Sequence, residues 1–259
     1  MSAVSSSEIR QEFAKSKVGL VGIGILASLI ILSAVAVITI PIDTFKQWNN
    51  PGKWISYPKT SVPIWINYFM TEKIPEHLIL DNPSAITKDD IISLTSHQFG
   101  VQYYYDDFPS DFIYEFSVEY SGSQLLQISV IRPDQSQILL LSRSLPHSDT
   151  NIIHHERIFS TDNTIKKNIQ IHFSEMGFYN QSTSSEDMIF ANKDGQVLKG
   201  DYLFLLNIYG VEEKVKIIDS KLILGGKAFG MMGTDELRRD LAVGLLWGTP
   251  LALFIGISV

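Results

Sequence analysis
The chain has 259 residues, 45% of them apolar, a formal net charge of −7 and no cysteine. That charge balance excludes an electrostatic nucleic-acid binder, which must neutralise phosphates with Lys and Arg, and the missing cysteines exclude disulfides, thiolate zinc sites and a thiol nucleophile. Mean hydropathy is only +0.09, too low for a chain that is mostly membrane helix and suited to a soluble domain with one or two apolar spans.

Residues 1–17 read as a short cytoplasmic tail. Residues 18–40 carry no charge. As a helix they would be about 35 Å long, enough to cross a hydrocarbon core of about 30 Å. Pro41 is a natural stop. A cleaved signal peptide is the rival reading, but its apolar stretch runs to only about 7–15 residues, so an uncleaved transmembrane helix is expected. Arg10, Lys15 and Lys17 precede it, and Lys46, Lys53 and Lys59 follow it. Flanking charge therefore leaves orientation tied. The large domain that follows is expected to lie outside, with the N-terminus in the cytoplasm.

Residues 41–226 have the composition of a soluble domain, expected to be extracytoplasmic and β-rich. Its first part is rich in Pro and aromatics: Trp48, Trp54, Tyr57, Trp65, Tyr68 and Phe69. Trp and Tyr favour the membrane interface, so residues 64–70 read either as a short interfacial helix or as core. Residues 85–96 are predicted helical from the start signal Thr87-Lys88-Asp89-Asp90. Strand patterns then dominate. Residues 111–120 alternate, with Phe112, Tyr114, Phe116 and Val118 on one face. Further strands are predicted at 124–131, 137–142, 152–159, 167–173, 187–191, 201–209 and 213–218. Turns are predicted at 121–123 and 133–136, a hairpin or loop tip at 192–195, and a hinge at Gly225-Gly226. This spacing suggests a β-sandwich.

No catalytic, cofactor or metal site is expected. His154 and His155 would point to opposite faces of a strand and could not easily grip one metal. His147 and His172 are isolated. Asp106-Asp107 and Glu212-Glu213 read as solvated carboxylates. Neither a Gly-x-Ser-x-Gly elbow nor a P-loop is present. Asn180-Gln181-Ser182 fits the glycosylation sequon and would mark an outside location if used.

The end of the sequence is the most specific part. Gly233-Thr234-Asp235-Glu236-Leu237 is followed by Arg238-Arg239-Asp240 and then by residues 241–259, again without a charge. Residues 227–240 read as the return to the membrane, and 241–259 as a second transmembrane helix, truncated. By position, Asp235 or Thr234 is expected to cap that helix, Gly233 to supply a positive-φ turn, and Arg239 and Asp240 to make polar contacts at the interface.

These residues resemble the Gly-Thr-Asp-x-x-Gly-Arg-Asp motif of C-type permease subunits of oligopeptide and dipeptide ABC transporters, where it precedes the second membrane helix. Residues 15–22 are similar to that subunit's approach to its first helix, and Trp65-Ile66-Asn67-Tyr68-Phe69 to a segment after it. Arg238 stands where the motif has its second Gly, and Gly244 where many members have Arg. A large domain also replaces the usual short connection. The resemblance covers the two ends of the chain and none of the central domain. The apolar spans and the strand pattern together give an expected fold class of membrane α plus all-β. The resemblance implies a permease subunit that partners a second permease subunit, two ATPase subunits that hydrolyse ATP, an extracytoplasmic solute-binding protein and the lipid bilayer. The family's ATPase-docking loop lies downstream, so the sequence is expected to be an N-terminal part of such a permease, the product of a broken gene, or a product reduced to another role. The alternative is a membrane-anchored β-sandwich binding module without transport activity.

Overall fold
The computed structural model describes residues 16–88, 92–175, 184–211 and 215–258. In chain order the elements are helices α1 (Lys17–Thr39), α2 (Ile42–Lys46) and α3 (Pro51–Trp54) and a 3₁₀ turn (Ile64–Tyr68). Strands β1 (Leu78–Leu80), β2 (Ser84–Lys88), β3 (Ile92–Tyr103), β4 (Asp111–Gly122), β5 (Leu125–Ile131), β6 (Gln137–Ser144) and β7 (Ser148–Phe159) follow. Then come α4 (Asn163–Glu175), α5 (Ser185–Phe190), β8 (Gly200–Val211), β9 (Lys216–Gly225) and α6 (Leu241–Ser258). The chain divides into a helical unit, Met1–Trp54 with Arg239–Val259, and a β unit, Ile55–Arg238.

In the helical unit, the Ser16 hydroxyl caps α1 by accepting the Gly19 N–H at 3.2 Å. Both α1 and α6 are long and apolar enough to cross a membrane, and few of their residues are fully buried. They lie against each other. The short α2–α3 segment packs on α6 through Phe45, stacked on Trp247 at 5.5 Å, and through Trp48, whose ring sits on the bare backbone of Gly244. A β-carbon at Gly244 would meet that ring, so the glycine found where the resembled motif has Arg has a local packing reason.

The β unit is two antiparallel sheets, ordered β1-β9-β4-β7 and β2-β3-β8-β5-β6. Alternation along β4 turns Phe112, Tyr114, Phe116, Val118 and Tyr120 inward, where they meet Phe99, Tyr103 and Phe204 of the facing sheet in one buried core. Aromatic contacts such as Phe112–Phe204 (6.4 Å) join the sheets. Burial on this scale, at about 25 cal/mol per Å² of apolar surface, is what lets a cysteine-free domain hold together.

Several expectations from the sequence are corrected. The described residues of the helix predicted at 85–96 are strand: Thr87 and Lys88 of β2 pair with Thr95 and Leu94 of β3. The β-branched residues Ile86, Thr87 and Thr95 fit a pleated surface better than a helix. Residues 167–173 lie in helix α4 rather than a strand. Asp162 starts that helix by accepting the Thr164 N–H at 2.8 Å, and Ile165, Ile169 and Phe173 recur every four residues on its buried face. Residues 187–191 fall mostly in α5, capped by Ser184, which accepts the Asp187 N–H at 3.1 Å. The strand predicted at 213–218 begins later and runs on to Gly225. Gly225-Gly226 is not a hinge. Gly225 is paired with Asp111 at the end of β9, and a β-carbon on Gly226 would strike the backbone of Glu76 and His77. Residues 1–15, Asp89-Asp90, the Asn180 sequon, Glu212-Glu213 and Val259 lie outside the described residues.

Candidate functional site
The motif-bearing segment closes the β unit. Gly230 and Gly233 have φ of 59° and 74°, conformations that favour glycine. They make residues 230–233 a tight turn with Met231 and Met232 at its tip, locked by the Gly233 N–H to Phe229 carbonyl bond at 3.1 Å. Thr234 is buried. Its hydroxyl accepts the Ser61 N–H at 3.0 Å, donates to the Pro58 carbonyl at 2.7 Å and meets the Ser61 hydroxyl at 2.9 Å. Thr234 thus sews the last segment of the unit to its first. Replacing it with valine keeps the shape and strands a buried N–H and a carbonyl. We expect a loss of about 2–4 kcal/mol in unfolding of the β unit, measured by denaturant titration of the solubilised chain.

Asp235 does not cap α6. Its carboxylate accepts the Leu237 N–H at 2.9 Å, and its carbonyl accepts the N–H groups of Thr60 and Arg238. It shapes its own turn. Arg238 follows at φ 65°, a left-handed conformation unusual for a residue with a β-carbon. Its guanidinium donates to the Tyr57 carbonyl at 2.6 Å and to Asp111 Oδ2 at 2.7 Å. The second carboxylate oxygen of Asp111 is buried with no hydrogen-bond partner among the described residues.

Beside this pair lies His77, stacked with Tyr57 at 6.4 Å and edge-on to Phe229 at 5.4 Å. Burial, opposed by the Asp111 charge, lowers its pKa to about 4. The folded form therefore binds a proton less readily than the unfolded form. Stability is full above pH 6.5 and falls as pH drops toward 4. Melts at pH 8 and pH 4.5 should differ by about 2–3 kcal/mol from this group, and His77→Phe should remove that share of the difference.

In the helical unit, Asp240 starts α6. Its carboxylate accepts the Ala242 N–H at 2.9 Å and its carbonyl accepts the Val243 N–H at 3.1 Å. Burial raises its pKa, an effect the Ala242 N–H opposes. The cap expected at Asp235 or Thr234 is thus Asp240, because the chain makes one more turn before the helix begins. Arg239 lies over the Trp48 ring at 4.7 Å, a cation–π contact.

The other candidates are dispersed. His154 faces Glu156 at 3.2 Å on one side of β7, while His155 meets the Ser117 hydroxyl at 2.7 Å on the other. Glu156 also pairs with Arg143. His147 meets Ser123 and Asp149, and His172 packs on Phe173. Asp106 and Asp107 each take a lysine, Lys199 and Lys227, so they are ion-paired rather than merely solvated. Among the described residues no group of three metal-ligating side chains occurs. His97 meets Ser220 at 2.6 Å, but Ser220 is buried between the sheets and braces them instead of presenting a nucleophile. A cleft of about 450 Å³ in the β unit is lined by the polar residues Thr87, Ser93, Thr95, Glu119, Asn151 and Lys216 together with Val215. Sequence reading missed Ser61, His77 and Asp111. Asp111 alone carried a signal, as a charge at the head of an apolar alternating strand.

No protein-family model matches the chain, and no curated protein matches it. Solved structures with some likeness include a carbohydrate-binding module in complex with β-1,4-galactotriose, at 8% identity and TM-score 0.25 over 61% of this chain and 90% of that one. A carbohydrate-binding module specific for non-crystalline cellulose follows at 7% and 0.25, over 66% and 96%. The infectious bursal disease virus Gt strain matches at 6% and 0.26, over 60% and 32%. At these scores the likeness carries no argument about what the chain binds.

Proposed function
We propose that the chain belongs to a permease subunit of a peptide- or oligosaccharide-type ABC importer. In this reading α1 and α6 span the cell membrane, and the β unit lies outside, where it docks the solute-binding protein. A second permease subunit completes the path, and two separate ATPase subunits drive it. The observation that carries the reading is Arg238. Where the resembled motif has its second glycine, the backbone here takes the left-handed turn that glycine favours, and Asp240, the motif's last residue, caps the second apolar helix. Fold alone would not support a function; a motif whose turn and cap both fall in place supports this one.

The test is affinity purification of the tagged chain from membranes of its own cell, with mass spectrometry of what accompanies it. ATPase and permease subunits of the ABC class are the expected companions. The chain recovered intact without them would overturn the reading. It would favour an anchored binding module, for which the polar cleft of hydroxyl, amide, carboxylate and ammonium groups is the specific support. Such a cleft suits a hydroxyl-rich ligand held by hydrogen bonds.

A further inference from the structure
Several large apolar side chains of the β unit stand together in the open. Tyr68 is 84% exposed, Phe69 82% and Met231 69%, and Trp65, Met70 and Met232 are substantially exposed beside them. They come from two segments 166 residues apart that are fastened together: Trp65 Nε1–H donates to the Met231 carbonyl at 3.0 Å, and the Ile64 N–H donates to the Gly230 carbonyl at 2.9 Å. Trp65 and Phe69 meet edge to face at 6.3 Å.

The group is also braced from beneath. The Asn67 side chain clasps Ile74 through its N–H and its carbonyl. The Lys73 ammonium donates to the carbonyls of Asn67 and Met70, satisfying groups that the short 3₁₀ turn leaves open. Met231 and Met232 are held out by left-handed glycines on either side. A rigid, exposed apolar cluster of this kind marks an interaction surface.

What it faces follows from where the chain runs. Thr60 is bonded to Asp235 and Ser61 to Thr234, so the cluster stands on the same end of the β unit as its first and last residues. Only residues 239 and 240 separate Arg238 from α6, a reach of about 10 Å. Trp and Tyr are the side chains that favour the headgroup boundary, with an apolar body and a polar tip.

We propose that this cluster rests in the headgroup boundary of the bilayer and holds the β unit against the membrane surface. The proposal depends on the reading of α1 and α6 as spans, and its test separates the two. The chain has no cysteine, so single nitroxide labels can be placed by Phe69→Cys, Met231→Cys, Ile153→Cys on the exposed face of β7, and Leu26→Cys in α1. Each full-length variant is reconstituted at one chain per phosphatidylcholine–phosphatidylglycerol nanodisc, and collision with oxygen and with a water-soluble nickel chelate is measured. Labels at 69 and 231 should favour oxygen over nickel relative to 153, and the label at 26 should favour it more strongly still. If 69 and 231 match 153 while 26 is shielded, the spans stand and the docking surface is refuted. Labels at 69 and 231 immobilised and shielded from both reagents would show that protein covers the cluster, which also overturns the proposal. A label at 26 open to nickel would remove the spans, and the docking surface with them.

Discussion

Arg238→Ala is expected to destabilise the β unit by about 2–4 kcal/mol, read as a lowered denaturant midpoint of its β-sheet signal. The substitution removes the partner of a largely enclosed carboxylate. Asp111 already has one oxygen without a partner, and losing the guanidinium leaves its charge facing Tyr57, His77 and the floor of the turn. Alanine also keeps the cost of a β-carbon in a left-handed conformation, about 1–2 kcal/mol, so nothing offsets the loss. Arg238→Gly should do less harm than Arg238→Ala by about that amount. Pairing it with Asp111→Ser, which removes the stranded charge, should recover much of the remainder. If Arg238→Ala is silent, the guanidinium is not what holds this corner, and the turn itself supplies the closure.

The second large effect is expected at Gly233. Its φ of 74° is adverse for any L side chain, and a β-carbon there would collide with the Ser61 carbonyl and crowd Val62. Ser61 cannot yield without loosening its bonds to Thr234. Gly233→Ala should therefore cost about 3 kcal/mol or more, conformational strain and damaged hydrogen bonds together. Gly195 is the matched comparison. It has φ 77° but open space around it, so Gly195→Ala should cost only about 1 kcal/mol. Equal losses at the two sites would mean that the Ser61 contact adds nothing to the backbone preference.

How much of this was legible in the sequence depended on the range of the interaction. The apolar runs that became α1 and α6 are local, and so is the alternation of Phe112, Tyr114, Phe116 and Val118 along β4. These stood out without a structure. Residues 167–173 were misread because the cap at Asp162 and the apolar positions 165, 169 and 173 make a helix pattern only over a window longer than the one that suggested a strand. The β2–β3 pairing was hidden by a capping signal, Thr87 to Asp90, that the sheet overrode. The positive φ at Gly233 was anticipated, since glycine is the residue such a turn demands. The one at Arg238 was visible only as a departure from a motif. Its compensating partner Asp111 lies 127 residues away, and no local pattern points to a partner at that range. His77 was equally silent, a lone histidine whose significance comes from Tyr57, Asp111 and Phe229 closing around it.

The way the β unit is stitched shut also sets the order in which it can form. β3 pairs with β8 along its length, β4 with β9, and the first segment of the unit is bonded to its last through Thr234 and Arg238. Each of these unions joins parts made early to parts made late. A chain emerging from the ribosome can build the β5–β6 hairpin at once, but it cannot complete either sheet until β8 and β9 have appeared. It cannot lock the corner until residue 238 is free. Folding dominated by such distant pairings is slow, and incomplete sheets expose open edges. The domain should therefore be most vulnerable to proteolysis and misassociation while its final forty residues are still being synthesised.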